Sequence, residues 1–168
     1  MDESRIKLGY LCDYPALTSR LASWFYEEWG RRQPNNSVEK IEKVLRQRMN
    51  RDELPLCLVA FLGSELVGTA SLIFHEMETH PQHEHWLASV YIQETYRGRG
   101  LGSQLIKITL EEAHKLGIPD LYLYTHSHEN YYARLGWIPV ERPQYHGREV
   151  VIMRNRLSVE MGNEADTR

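Results

Sequence analysis

The sequence predicts a mixed α/β domain, with helices covering a sheet of mixed strand directions. Three observations carry that prediction. Apolar runs of strand length, such as 56–62 and 86–92, alternate with longer segments of helical period. Three of the strand-like runs follow one another in the middle of the chain, which builds hairpins rather than a purely alternating βαβ array. Finally, Arg97-Gly98-Arg99-Gly100-Leu101-Gly102 joins an apolar strand to a long helical segment.

Element by element, residues 5–11 read as a first strand. Asp13 is placed to cap a helix with Pro15 in its first turn, and Leu17, Leu21, Trp24 and Phe25 recur at helical spacing up to Gly30. Asn36 with Glu39 reads as a capping pair for a second helix, whose stripe is Val38, Ile41, Leu45 and Met49. Residues 56–62 form a buried strand that turns at 63–65 and returns over 66–74, and Gly68 within it marks a close backbone approach. A polar loop over 75–83 precedes the strand 86–92. The helix over 101–116 carries Leu101, Leu105, Ile108 and Glu112 along one line and stops at Gly117 and Pro119. A fifth strand at 121–125, a short helix at 129–135, a strand at 137–140 and a last strand at 147–157 complete the order β-α-α-β-β-β-α-β-α-β-β. Residues 1–157 are expected to form a single domain, and 158–168, without apolar spacing, a disordered tail.

Composition narrows the function. Of 168 residues, 42% are hydrophobic and 26% charged, as in ordinary globular domains, and the length suits one sizeable core. A net charge of −3 argues against a nucleic-acid partner held through phosphates. Residues 1–25 hold no long apolar run, so a signal peptide or membrane partner is not expected and the setting reads as cytoplasmic. Cys12 and Cys57 sit in apolar, strand-like surroundings and read as buried thiols. The eight histidines follow no zinc spacing, so no metal is expected.

The glycine turn is the chemically informative stretch. Glycines let backbone approach a ligand, the N–H groups opening a helix point outward, and Arg97 and Arg99 add charge suited to phosphate. The inference is a diphosphate-bearing ligand held by backbone. A P-loop is excluded, because no Gly-Lys-Ser or Gly-Lys-Thr occurs. A dinucleotide fold fits poorly, because Gly98-x-Gly100-x-Gly102 misplaces the third glycine and too little parallel βαβ sequence follows.

Arg97-Gly98-Arg99-Gly100-Leu101-Gly102 resembles the R/Q-x-x-G-x-G/A signature of the GNAT superfamily of N-acetyltransferases. Tyr131-Tyr132-Ala133-Arg134-Leu135-Gly136-Trp137 resembles a second element of that family. The second stretch, with Leu123-Tyr124-Thr125-His126 before it, is also similar to a bacterial-type branch and to the actin N-terminal acetyltransferase. The resemblance spans roughly residues 5–157. It implies a fold of about seven strands with a splayed central pair and about four helices, and acetyl-CoA as co-substrate.

What the resemblance implies for the site follows by register. The backbone of Val90 and Ile92, flanking Tyr91, would receive the pantetheine arm. Arg97, Gly98, Arg99, Gly100, Leu101, Gly102 and Ser103 would cradle the diphosphate. Tyr132 is the expected general acid, its phenol at about 10 near enough to a thiol at about 8.5. The family's usual glutamate is missing from positions 86 and 88, so Glu84, expected on the same strand face as Trp86, becomes the candidate base. The acceptor region is expected to include Trp24, Phe25, Tyr26, Glu27, Glu28 and Trp29, with Tyr145-His146 later in the chain. The expected activity is direct acetyl transfer, in a ternary complex, to a small-molecule amine or a peptide N-terminus, by a monomer or homodimer. The alternative is a catalytically inactive CoA-binding sensor or interaction module.

Overall fold

The computed structural model describes residues 4–157, so the tail expected over 158–168 lies outside the described residues. The elements are β1 (Lys7–Tyr10), α1 (Thr18–Glu28), α2 (Val38–Arg46), β2 (Leu56–Leu62), β3 (Glu65–Phe74), β4 (His85–Ile92), α3 (Leu101–Lys115), β5 (Asp120–Thr125) and α4 (Glu129–Arg134). Then follow β6 (Ile138–Glu141), β7 (Gln144–Tyr145), β8 (Arg148–Glu149) and β9 (Val151–Arg156). The main sheet has seven strands in the order β1-β2-β3-β4-β5-β9-β6, and β7–β8 form a separate ribbon. β4 and β5 run parallel, with Trp86 opposite Tyr122 as their register pair. The β1–β2, β2–β3, β5–β9 and β6–β9 pairs are antiparallel. This is the mixed α/β class that the sequence predicts.

The chain divides into two compact units, Met1–Ile73 with Ala88–Thr109, and Phe74–Leu87 with Leu110–Arg168. In the first, α1 buries Leu21, Ala22 and Phe25, and α2 buries Leu45, in one cluster with Cys57, Val59 and Leu66 of β2 and β3. Burying such a side chain is worth about 1.5–3 kcal/mol, far more than helix propensity gives. Both helices are therefore held by their apolar stripes. Gly68 is the tightest point. A Cβ there would lie 2.7 Å from the Tyr91 carbonyl oxygen and 2.7 Å from Ile92 Cδ1, so only glycine lets β3 approach β4 at this level.

In the second unit, β9 pairs along β5 from Asp120 opposite Arg156 to Thr125 opposite Val151. The β7–β8 ribbon turns through His146 and Gly147, at φ 50° and 79°, the double left-handed pair that a two-residue hairpin requires.

Several local readings are corrected. Asp13 does not cap a helix. Its carboxylate pairs with Arg51, and α1 starts five residues later behind Leu17. Leu11–Asp13 is a 3-10 turn instead of strand, which leaves Cys12 only half-buried. The α2 cap is Ser37, whose Oγ accepts from the Lys40 amide at 3.1 Å, while Asn36 Oδ1 accepts from the Ser37 amide at 2.8 Å. The serine sits one residue nearer the helix, where its short hydroxyl reaches the N3 amide. On α3 the buried line runs through Leu105, Ile106, Thr109 and Ala113 and leaves Glu112 off it. The last strand divides at Val150, whose amide donates to the Pro143 carbonyl at 2.9 Å: Arg148–Glu149 pairs back in the β7–β8 ribbon and only Val151–Arg156 continues as β9.

Substituting Gly68→Ala is expected to destabilise the fold by about 1–3 kcal/mol, since the new methyl meets backbone that cannot move aside. Urea denaturation measures this, and an unchanged midpoint would show that β3 and β4 are not held at the described separation.

Candidate active site

The first unit holds the glycine turn and the strand that leads to it. Gly98 and Gly100 take φ of 79° and 77°, the left-handed region open to glycine at little cost, and a Cβ on either would meet no protein atom within 4 Å. The turn is thus bare backbone facing open space. The first bond of α3 runs from the Gln104 amide to the Gly100 carbonyl at 3.2 Å. The Leu101 and Gly102 amides precede that bond and have no intrahelical acceptor, at the positive end of a 15-residue helix. This donor set fits a diphosphate. Arg99 is exposed and stacks over Tyr96 at 5.2 Å. Arg97 turns back toward β4: its Nε donates to the Ile92 carbonyl at 2.8 Å, Nη2 lies 3.4 Å from Glu28, and its guanidinium covers the Tyr91 ring at 5.2 Å.

β4 itself is irregular. Ser89 holds φ at 54°, unusual for a side chain other than glycine, and is fixed there by a hydrogen bond. Arg48 Nη1 donates to Ser89 Oγ at 3.1 Å and to Ser71 Oγ at 3.0 Å. Just past it, Tyr91 stacks on Trp24 at 5.1 Å and meets Trp29 edge-on at 6.0 Å. Tyr91's side chain is thus a packing group against α1. An open cavity of about 340 Å³ lies along α1 and α2. Phe25, Trp29, Ile41, Val44 and Leu45 form its apolar walls, and Arg48 and Ser89 reach it from within the unit. Glu27 and Glu28 do not line it. They pair with Arg31 and Arg97, both at 3.4 Å. Sequence reasoning missed Arg48, Ser89 and the cavity. The available signal was a cation at 48, seven residues from Ile41 and so in line with the apolar stripe of the predicted helix, although α2 itself ends at Arg46.

The profile of the Acetyltransferase (GNAT) family matches residues 15–137, nearly three-quarters of the chain and all of the glycine turn.

The chain belongs to the GNAT acetyltransferase family.

Solved structures agree on the fold. The GNAT-family acetyltransferase from Streptococcus pneumoniae superposes with a TM-score of 0.65 at 19% identity, covering 91% of this chain and 99% of that one. An aminoglycoside 6'-N-acetyltransferase complexed with coenzyme A gives 0.68 at 17% identity, covering 90% and 97%. yncA from Salmonella typhimurium, solved with acetyl-CoA as its cofactor, gives 0.67 at 17% identity, covering 90% and 94%. No curated protein sequence matches the chain.

The remaining candidate residues of this GNAT chain lie in the second unit. Tyr132, on α4, meets Tyr131 at 5.3 Å and Trp137 at 6.2 Å, both edge-on. Burial, with a smaller contribution from Tyr131, pushes its phenol up to about 12. That is away from a thiol near 8.5, so the phenol is a neutral hydrogen-bond donor at physiological pH. Glu84 lies before the first residue of β4 and does not share Trp86's strand face. Trp86 is fully buried, whereas the Glu84 side chain is 58% exposed, 3.0 Å from His85 Nε2. His83 stacks on Tyr122 at 3.9 Å, and its imidazole is pushed below its ordinary value by burial and then by His80. Tyr124 is also pushed up to about 12 by burial. Among the described residues, no His, Cys, Asp and Glu group is arranged to hold a metal, and no helix is long and apolar enough to cross a membrane.

Tyr145 is pushed up as well, by burial and then by its hydrogen bond to Glu78, and these raised phenols, Tyr124 and Tyr132 among them, set an alkaline limit. Below pH 10 they are neutral both folded and unfolded. Between about 10 and 12 the unfolded tyrosines ionise while Tyr124 and Tyr132 stay neutral, so stability is lost as pH rises through that window. Tyrosinate absorbance should show Tyr124, Tyr132 and Tyr145 among the phenols that titrate late. Their titration near 10 in the folded protein would contradict the burial described.

Proposed function

We propose that this protein is an acetyl-CoA-dependent N-acetyltransferase that moves the acetyl group directly to a primary amine in a ternary complex. The bare, left-handed Gly98–Gly100 turn feeding the open end of α3 is the observation that carries the reading. Acetyl-CoA supplies the activated thioester. Amides at the start of α3 and the glycine-turn backbone from Arg97 to Ser103 hold the diphosphate, with Arg99 adding charge. Arg97 anchors the end of β4 through the Ile92 carbonyl and joins the cradle from there. Backbone groups of Val90 and Ile92 align the pantetheine arm, four and six residues beyond the β4–β5 register pair at Trp86.

In the reaction a carbon–nitrogen bond forms as the carbon–sulfur bond breaks. Nitrogen loses a proton and sulfur needs stabilisation or a proton. Glu84, with His85 beside it, is the assigned proton acceptor. Tyr132 donates a hydrogen bond to the leaving sulfur, and its raised pKa keeps that proton in place at working pH. Peptide N-termini and small amines are both primary amines of the class required.

One observation favours a second reading, a CoA-binding module without turnover. Glu84 is open to solvent with His85 Nε2 at 3.0 Å as its partner, and is not enclosed as a dedicated proton acceptor would be.

Calorimetry with acetyl-CoA separates the readings from unrelated function. Binding is expected, and Gly100→Ala should weaken it at least about tenfold, because a side chain at that φ is strained by about 1–2 kcal/mol and projects into the ligand space. No binding by the native chain would overturn both readings. In a thiol-release assay over primary amines, Tyr132→Phe and Glu84→Gln should each lower kcat by about 10²-fold with acetyl-CoA affinity retained. Binding without release on any amine would select the sensor, and unchanged kcat in either variant would remove that residue's assignment.

A further inference from the structure

A hydroxyl, an imidazole and a carboxylate meet in the second unit, apart from the residues assigned above. Thr79 Oγ1 lies 2.8 Å from His80 Nδ1, and His80 Nε2 lies 2.9 Å from Glu141 Oε2. Thr79 and His80 stand in the segment between β3 and β4, and Glu141 is the last residue of β6. His80 is buried, and backbone turns fix it on both sides. Its amide donates to the Met77 carbonyl at 3.0 Å, and its carbonyl accepts from the His83 amide at 3.1 Å. The His83 ring lies nearly parallel to the His80 ring, 13° apart in plane and 6.1 Å between centroids. A carboxylate only accepts, so the nitrogen that carries hydrogen toward Glu141 is Nε2. In the neutral ring Nδ1 then holds the lone pair, and the Thr79 hydroxyl donates to it. Thr79 itself is an exposed residue, within reach of a reagent from solvent.

We propose that Thr79 is an acyl acceptor, with His80 as its base and Glu141 orienting that base, and that the chain acylates itself there from activated acyl donors of the thioester or aryl-ester class. The arrangement has the parts that nucleophilic catalysis by a hydroxyl requires: a base within hydrogen-bond reach, and a third group that holds the base by its other nitrogen. In the step, the Thr79 oxygen bonds to the acyl carbon as its proton passes to His80 Nδ1. The bond from that carbon to sulfur or to the aryl oxygen then breaks, and the departing thiolate or phenolate takes the proton from the imidazolium. The products are a threonine ester and a free thiol or phenol, with no change of oxidation state. Glu141, 2.9 Å from Nε2, stabilises the imidazolium formed between the two proton transfers and acts only through His80, as a positioning residue. The donor must carry a good leaving group, which thioesters and aryl esters have and amides lack. All three side chains belong to the second unit, and no amine enters the step, so it stands apart from the acetyltransferase reading.

The test exposes the full chain to p-nitrophenyl acetate and, separately, to acetyl-CoA, with no amine acceptor added. Nitrophenolate or thiol release is followed by absorbance, and the acetylated residue is located by peptide mass spectrometry. An acetyl group on Thr79 is expected, and hydroxylamine should remove it, because an ester is cleaved under conditions that leave lysine amides intact. Thr79→Val should abolish that ester and lower the release rate, whereas Thr79→Ser, which keeps the hydroxyl, should retain both. His80→Gln should slow acylation at least about 10²-fold, the worth of a general base. If that variant does not fold, Glu141→Gln, on the edge strand β6, should still slow acylation severalfold, and Glu141→Asp should recover part of the rate. Release equal in the native chain and Thr79→Val, or acetyl groups found on lysines alone, would overturn the proposal. An acylation rate of Thr79 unmoved by both His80→Gln and Glu141→Gln would overturn it as well.

Discussion

The hydrogen bonds from Arg48 to Ser71 and Ser89 are the constraint on which the first unit depends. A serine at φ 54° interrupts an otherwise extended β4, and backbone of that kind persists only when neighbours over-determine it. Arg48 supplies that determination through one nitrogen, and Gly68 supplies it from the other side by admitting the Tyr91 carbonyl to a place no side chain would allow. The strand can then be irregular at Ser89 without becoming mobile. Its following residues reach the glycine turn in a defined register, which Arg97 secures again through the Ile92 carbonyl at 2.8 Å.

This arrangement also sorts the charges. The chain as a whole carries a net charge of −3, yet positive groups collect where the first unit opens to solvent. The amides that open α3 and the exposed Arg99 sit at the glycine turn, and Lys40 and Arg48 at the cavity. Of the nearby acids, Glu27 is engaged with Arg31, while Glu28 offsets only Arg97, at the start of the turn. A local positive field is therefore compatible with an acidic protein, and net charge alone says nothing about the sign of a binding site.

What was legible in the sequence follows the physics of each signal. Residues 56–62 became β2 at the predicted bounds, because a continuous apolar run between turn residues leaves few other folds for the backbone. Gly68 was legible as a close approach because a glycine inside an apolar strand has few other reasons to be there. Cap positions slipped by a residue or more, since Asp13, Asn36 and Ser37 all carry suitable oxygens and local spacing alone does not choose among them. Asp13 was claimed by Arg51, 38 positions away in sequence. Strand alternation was extended to Glu84, one residue beyond where β4 begins, and the buried face ends there. The Arg48–Ser71–Ser89 contacts span 23 and 41 positions of sequence, so no periodicity records them.

Tyr132 shows why a residue's type does not fix its chemistry. An exposed phenol at about 10 and a thiol at about 8.5 are separated by a gap that modest tuning could close. Burial on α4 opens the gap instead, to a phenol near 12. A full proton transfer from that phenol to a thiolate is then uphill. A hydrogen bond has no such cost. It is strongest where the acceptor is anionic and water is excluded, the conditions that burial supplies. The desolvation that makes Tyr132 a poor acid therefore makes it a durable donor, protonated across the whole range in which an amine acceptor becomes neutral.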